Sequence, residues 1–344
     1  MHPIKTAFTE LVGVTTPIVS APMGYAWSAE LAYAVATTGG FGMVGAALDT
    51  PEQIRTSLQT LRKRFSLPPN SPLPIGVGLI GWLLDKTELT EDPRIPAVLE
   101  EKPNAIWFAF GDDLGKYVRQ VRAHDATREH KTLVFVCVNT VEEARMAIQD
   151  WQVDVLVAQG IEAGGHGSSH APPTSLLVTS ILTAIPNPPP ILAAGGIHTG
   201  AQVASLLTLG ASGVVLGTRL LFTPECGYTP IQKSLLIESS TSTHATTRGM
   251  CYDEVNRTLG WPSGIDGRAI ANDIWTDYVE GVSVEERLRR FDEGKVKGEK
   301  ERVVVWAGAG LGLTREVKGA AEVVKEVHEE AIARIQWAQS LLGL

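Results

Sequence analysis

The chain has 344 residues, a formal net charge of −8 at pH 7 and three cysteines that form no CxxC pair. Its size suits one large domain or two average ones, and its mildly acidic balance without a Lys/Arg stripe argues against nucleic-acid binding. The odd cysteine count argues against a disulfide framework and predicts no metal site. The sequence shows no signal peptide and no transmembrane run, so a cytoplasmic protein is expected.

Short apolar strands alternate with amphipathic helical patterns along the first two thirds of the chain. This alternation predicts an α/β fold with a parallel sheet and right-handed crossovers. Eight strand units predict closure into a (β/α)8 TIM barrel. The predicted strands are 17–23, 41–46, 74–80, 105–110, 133–138, 153–159, 191–195 and 213–217. The predicted helices are 29–37, 51–64, 114–124, 141–151, 174–184 and 200–209.

The alternative to a barrel is an open doubly wound sheet. That fold places a GxGxxG loop after its first strand, whereas the first turn here is Ala21-Pro22-Met23-Gly24. The glycine-rich loops of this chain follow strands six, seven and eight instead. This placement favours the closed barrel.

After the eighth strand the sequence becomes richer in polar residues and no longer alternates between short strands and helices. Residues 1–223 are therefore interpreted as the barrel, and the polar segment 224–302 as a helical insertion or lid over its mouth. Residues 303–310 are predicted to form a further strand that ends in a glycine turn, and 316–341 an amphipathic helix. Residues 303–344 are expected to complete the barrel.

Motifs that could bind a ligand or take part in catalysis follow the first, sixth, seventh and eighth strands. In a barrel the C-terminal ends of the strands share one rim, where active sites lie. The glycines of 194–197 and 217–219 offer backbone N–H groups suited to a phosphate, and Thr218 adds a hydroxyl. His166, within the glycine-rich run 159–167, brings a group that exchanges protons near neutral pH.

Together these motifs resemble the nitronate monooxygenase family, formerly called 2-nitropropane dioxygenases. The resemblance rests on the run 17–23, the Gln-Gly-x-Glu-Ala-Gly-Gly-His run at 159–166, and 194–197 followed by 217–219. Segments 258–262 and 306–312 are similar to fungal-type members. The resemblance covers nearly the whole chain and implies a barrel that binds FMN without a covalent link. It also implies oxidation of alkyl nitronates by dioxygen to carbonyl compounds and nitrite.

The resemblance also implies roles for individual residues. His166 matches the catalytic histidine, acting as a general base or as a nitronate-binding group. Pro22 to Gly24 border the flavin ring, Ala163 and Gly164 lie near its polar edge, and the glycine loops hold its phosphate. The cofactor-binding residues are Ala21, Pro22, Met23, Gly24, Gln159, Ala163, Gly164, Gly195, Gly196, Gly217 and Thr218.

Some positions depart from the family pattern or stay open. Gly78 stands where many members carry a flavin-bonding asparagine. Near the end of strand five, where several members place a basic residue, Asn139 is a candidate polar contact in its place. Glu162 is expected to accept hydrogen bonds from loop amides, and His198 to lie at the surface. Arg219 pairs either with phosphate or with a carboxylate.

Alternative functions also remain at this point. The first is an FMN-dependent NAD(P)H oxidoreductase resembling enoyl or quinone reductases. Others are a specialised secondary-metabolite oxidase and a non-catalytic flavin-binding barrel. The expected partners are a small-molecule substrate and dioxygen, with a homodimer left open.

Overall fold

A closed barrel of parallel strands forms the body of the protein. The computed structural model describes residues 1–242 and 245–343. Within them, eight parallel strands form one sheet in the order β1-β9-β8-β6-β5-β4-β3-β2, and a bridge between Val19 and Phe41 joins its two ends. The strands are β1 (Ile18–Ser20), β2 (Gly42–Gly45), β3 (Leu73–Ile80), β4 (Pro103–Ala109), β5 (Leu133–Val138), β6 (Val155–Gln159), β8 (Ile191–Ala194) and β9 (Gly213–Leu216). The predicted (β/α)8 barrel is confirmed.

Helices connect the barrel strands and cover the outside of the barrel. Their N-termini carry the expected caps; Thr50, for example, forms a capping box with Gln53 and precedes Pro51. The helices of this layer are α2 (Ala29–Thr37), α3 (Pro51–Arg64), α4 (Gly81–Thr87), α5 (Arg94–Glu100), α6 (Gly115–Ala126), α7 (Val141–Gln149), α8 (Thr174–Ala184), α9 (Gly200–Thr208) and α10 (Thr218–Leu221). Helix α1 (Ala7–Val12) precedes β1 and lies at the N-terminal end of the barrel. The predictions for 29–37, 51–64 and 174–184 match the observed bounds.

Aromatic side chains fill the N-terminal end of the barrel. Phe8 from α1 packs edge-on against Phe41 and Phe135, with ring centroids 6.2 and 6.1 Å away. All three rings are buried. Because this end is plugged, a ligand must enter from the opposite, C-terminal end of the strands.

The segment after β9 is helix-rich, and it also contributes strands that were not predicted. Its helices are α11 (Pro230–Ser239), α12 (Cys251–Asn256), α13 (Asp273–Val279) and α14 (Val284–Lys297). Strands β10 (Thr246–Gly249) and β11 (Ile265–Ile270) form an antiparallel sheet with β7 (Gly165–Ser168), in the order β10-β11-β7. The insertion is therefore joined by backbone hydrogen bonds to the loop that follows β6.

The predicted strand at 303–310 is wrong. Within that segment Trp306 makes a single bridge to Ala269, and a 3-10 turn begins at Ala309. The run meets β11 only beyond the end of β7, where Ile270 N donates to Val305 O and Ala307 N donates to Arg268 O. Because β11 ends at Ile270, this pairing stays limited to one bridge. The final helix, α15 (Ala320–Ser340), packs against α9 and α2. No helix in the described residues is both long and apolar enough to span a membrane.

Candidate functional site

A cavity of about 470 Å³ opens at the C-terminal end of the barrel strands. This volume lies within the range of small-molecule and cofactor pockets, roughly 300 to 1,000 Å³. Every site residue predicted from the sequence lines it. These residues are Ala21, Pro22, Met23, Gly24, Gln159, Ala163, Gly164, His166, Gly195, Gly196, Gly217 and Thr218. The fold brings them together from four loops, while their individual roles remain predictions.

His166 is held between aromatic rings at one side of this cavity. Its imidazole stacks on Trp261, with centroids 3.5 Å apart and planes 9° apart. Trp306 lies tilted against it at 4.7 Å. The side chain is 13% exposed. Because Trp261 covers a face of the imidazole, the edge of the ring is the part best placed to meet a ligand in the cavity.

A carboxylate from the insertion faces the imidazole. Both oxygens of Asp253 lie 3.0 Å from His166 Nε2. Thr258 Oγ1 and Trp261 Nε1 also donate to Asp253 Oδ1, at 2.8 and 3.0 Å. The Asp253 side chain has no exposed surface. Sequence analysis missed Asp253 because it lies 87 residues from His166 and no local motif marks it.

Another end of the cavity offers unpaired backbone donors. Among the described residues, the backbone N–H groups of Gly195, Gly196, Gly217 and Thr218 find no hydrogen-bond partner. Gly195 and Gly196 adopt φ values of 119° and 69°, which glycine tolerates best. Thr218 Oγ1 accepts a bond from Gly308 N at 2.9 Å, so its own hydrogen stays available. Unpaired donors grouped in this way suit an anion.

The structure accounts for the two departures from the family pattern, at Gly78 and at Asn139. A Cβ at Gly78 would lie 2.3 Å from Pro22 Cβ, so a side chain there is incompatible with Pro22 packing over β3. Asn139 is buried and donates to Gln159 O at 2.7 Å; it is not among the cavity-lining residues. The expectation of a polar contact from Asn139 is therefore wrong.

Gln159 links the cavity floor to the histidine loop. Its Oε1 accepts from Cys137 Sγ at 3.0 Å, and its Nε2 donates to the backbone oxygen of His166 at 2.9 Å. Burial raises the pKa of Cys137, so this thiol stays protonated and can donate. The amide side chain thus fixes the backbone of His166 from below.

Arginines of the insertion hold the same loop from above. Arg248 Nη1 donates to Gly167 O at 2.9 Å and to Asp266 Oδ1 at 2.7 Å. Its Nη2 donates to Ala163 O at 3.3 Å. These bonds bracket His166 on both sides along the chain. The position of His166 therefore depends on the insertion as well as on the barrel.

His198 is buried, which contradicts its expected surface position. Its exposed fraction is 3%, and its Nδ1 lies 2.7 Å from Thr314 Oγ1. Burial, followed by the charge of Arg219, lowers the pKa of His198 to about 3. The helix start places it inward because Gly310 and the 3-10 turn pack over it.

Arg219, for which a phosphate or a carboxylate partner was expected, is without a carboxylate partner in the described part of the structure. Arg219 is buried, and among the described residues no carboxylate lies within ion-pair distance of it and its Nη1 has no partner. Burial lowers the pKa of Arg219.

Glu162 accepts hydrogen bonds from Thr174 N at 2.9 Å and from Thr174 Oγ1 at 3.0 Å. This is the structural role expected for Glu162.

The fold and site define a (β/α)8-barrel protein with a histidine in the cavity at the C-terminal ends of its strands, and comparisons with known proteins identify its class. The sequence profile described as nitronate monooxygenase matches residues 82–330. A nitronate monooxygenase of Neurospora crassa is 32% identical, over 94% of this chain and 91% of its own length. A nitronate monooxygenase of Metarhizium robertsii is also 32% identical, over 92% and 91%.

Similarity to a solved structure supports the same fold. FabK from Thermotoga maritima superposes with a TM-score of 0.77 at 24% identity, over 98% of this chain and 99% of that one. The chain belongs to the nitronate monooxygenase family, and it is an oxidoreductase.

Proposed function

We propose that this protein oxidises alkyl nitronates, and the nitroalkanes from which they form, with dioxygen to a carbonyl compound and nitrite. The observation that carries the proposal is the position of His166, whose imidazole lines the same cavity as a cluster of unpaired backbone donors at its other end. The imidazole can accept and release protons, and the backbone N–H groups suit the phosphate of a cofactor. Membership of the family supports the same reaction.

FMN fits the residues of the cavity. The unpaired N–H groups of Gly195, Gly196, Gly217 and Thr218 would hold its phosphate. The walls formed by Pro22, Met23 and the backbone of Ala163 and Gly164 would border its ring. When bound, FMN supplies the electron-accepting chemistry that a protein side chain lacks.

His166 has a defined task in this reaction. A nitroalkane carries an acidic α C–H bond, and a neutral imidazole at the cavity edge takes that proton as a general base. The C–H electron pair then forms the C=N bond of the nitronate. The imidazolium so formed attracts the anion and keeps it at the site. When nitronate is supplied directly, His166 has only to bind it.

Aromatic side chains form the substrate side of the cavity. Trp82 and Phe110 pack edge-on against Trp261, with centroids 5.3 and 5.6 Å away. These rings give the alkyl part of a substrate an apolar surface and exclude water from the imidazole edge. The proposed substrate class is therefore small, mainly aliphatic nitro compounds.

The visible absorption spectrum of the purified protein, followed by assays with 2-nitropropane and its nitronate, tests the proposal. We expect a flavin spectrum, dioxygen consumption and nitrite release. A protein that neither co-purifies with FMN nor takes it up, or that binds FMN yet releases no nitrite, contradicts the proposal.

Anaerobic mixing with NADH and NADPH separates this function from the reductase alternative. If the protein is a nitronate oxidase, NADH and NADPH should leave its flavin absorbance almost unchanged over the time in which a nitronate bleaches the flavin. Rapid bleaching by either nucleotide, without nitrite production in air, favours the reductase.

A further inference from the structure

Asp253 belongs to the active site although it lies in the insertion. We infer that Asp253 is the positioning residue of His166: it fixes the proton on Nε2 and thereby makes Nδ1 the nitrogen that receives the substrate proton. The inference rests on the proposed function of His166. It adds a tautomer, a reacting atom and a residue from outside the barrel.

The contacts of Asp253 carry the inference. A carboxylate without exposed surface must have its oxygens satisfied by donors inside the protein. Asp253 receives them from Thr258 Oγ1, Trp261 Nε1 and His166 Nε2. An ionised carboxylate only accepts hydrogen bonds, so the imidazole nitrogen facing it must carry a hydrogen. The neutral ring then carries its lone pair on Nδ1.

The remaining surroundings of the ring agree with this assignment. Trp261 covers one face of the ring, and Trp306 lies tilted against the ring at 4.7 Å. Among the described residues, His166 Nδ1 has no hydrogen-bond partner. His166 also lines the cavity. The edge that bears Nδ1 is therefore the part of the ring left for substrate.

Proton transfer gives Asp253 a second task. When the α-carbon proton moves to Nδ1, the imidazole becomes a cation in a largely buried place. An unpaired buried cation is costly, and a carboxylate in contact with it offsets that cost. Asp253 therefore favours the step that starts from a neutral nitroalkane. Oxidation of a preformed nitronate needs no proton transfer and depends less on this pair.

Nitrogen-15 NMR of protein labelled at histidine tests the tautomer without any assay of activity. The His166 signals are assigned by their absence from His166→Asn. We expect the Nε2–H tautomer in the wild-type protein and its loss in Asp253→Asn, because an amide donates as well as accepts. An Nδ1–H tautomer in the wild type, or an unchanged tautomer in Asp253→Asn, overturns the inference.

Steady-state kinetics test the consequence for catalysis. In Asp253→Asn, kcat/KM for a neutral nitroalkane should fall about 100-fold, the lower range for a lost general base, while kcat on the preformed nitronate changes far less. Equal losses on both substrates would mean that Asp253 merely supports the fold. Asp273→Asn, the same change at a 55% exposed position of the insertion, should alter neither activity.

Two further comparisons keep the test decisive. If Asp253→Asn does not fold, Trp261→Phe keeps an aromatic face against His166 and removes one donor to Asp253; it should show the same bias against the neutral substrate. If His166→Asn retains full nitroalkane activity, the proposed function itself fails. If His166→Asn loses it and the Asp253 variant does not, only the role of Asp253 fails.

Discussion

Trp261 lies flat against His166 and also donates its indole N–H to Asp253. One side chain therefore covers a face of the imidazole and holds the carboxylate at Nε2. Trp261 and Asp253 come from the insertion after β9, whereas His166 follows β6. The site is thus completed by the insertion, and a barrel alone would leave His166 without its neighbours.

The close contact between Gly78 and Pro22 predicts the effect of adding a single methyl group. Gly78→Ala places a Cβ 2.3 Å from Pro22 Cβ and should destabilise the protein by about 1 to 3 kcal/mol, as overpacking does. Gly24→Ala is the control, because its Cβ meets Leu48 Cδ1 at 3.4 Å, an ordinary contact. Urea unfolding measures both, and equal stabilities would contradict the packing argument.

The proposed phosphate end is tested by comparing FMN with riboflavin, which lacks the phosphate. Gly196→Ala forces a side chain onto φ 69° and brings its Cβ within 2.9 Å of Glu162 Cβ. We expect the Kd for FMN to rise about tenfold, equivalent to about 1.4 kcal/mol, with little change for riboflavin. Fluorescence titration gives both constants. Equal weakening of the two ligands would place the phosphate elsewhere.

Arg248 should stabilise the histidine loop strongly. Its side chain is 8% exposed and pairs with Asp266, so Arg248→Ala leaves a largely buried carboxylate unpaired and should cost about 3 kcal/mol. Arg289, a 57% exposed arginine of α14 that pairs with Glu286, provides the control. Arg289→Ala should leave the free energy of unfolding close to that of the wild type, because exposed ion pairs contribute little. An Arg248 variant as stable as wild type would refute the clamp.

Burial of His198 predicts an acid-sensitive stability. The folded protein holds its pKa near 3, below the ordinary value of 6.5, so between those values the unfolded chain binds one more proton. Stability should be complete above pH 6.5 and fall on acidification, by at most about 1.4 kcal/mol per pH unit from this residue. His198→Asn should flatten that part of the curve. An unchanged slope from pH 6.5 to 4 would show that His198 is not the group responsible.

The barrel could be predicted because its strands are continuous apolar runs, as expected of strands buried on both faces. In β5, for example, Leu133–Val138 is an unbroken apolar run buried on both faces, and the glycine loops at strand ends marked the rim. The topology brought the four glycine-containing motifs to one rim, since parallel strands bring their C-terminal ends together. The twelve residues within those motifs were singled out by the resemblance to the nitronate monooxygenase family.

The parts that depend on distant pairing could not be predicted. Strand β7 consists of Gly165–Ser168, which has no apolar period and becomes a strand only because β11 pairs with it. In the sequence, nothing distinguishes Asp253 from an exposed acidic residue of a helix. Only the fold shows that it is buried beside His166. The directions of Asn139 and His198 likewise depend on what packs over them, which the sequence does not state.

The most direct test of the central claim is the ratio of kcat/KM for a neutral nitroalkane to that for its preformed nitronate, measured in the wild type and in His166→Asn. We expect the variant to retain bound FMN and substantial nitronate oxidation. The ratio should fall about 100-fold or more, because only the neutral substrate needs a base. An unchanged ratio, with both activities reduced together, would contradict the role of His166 as a base.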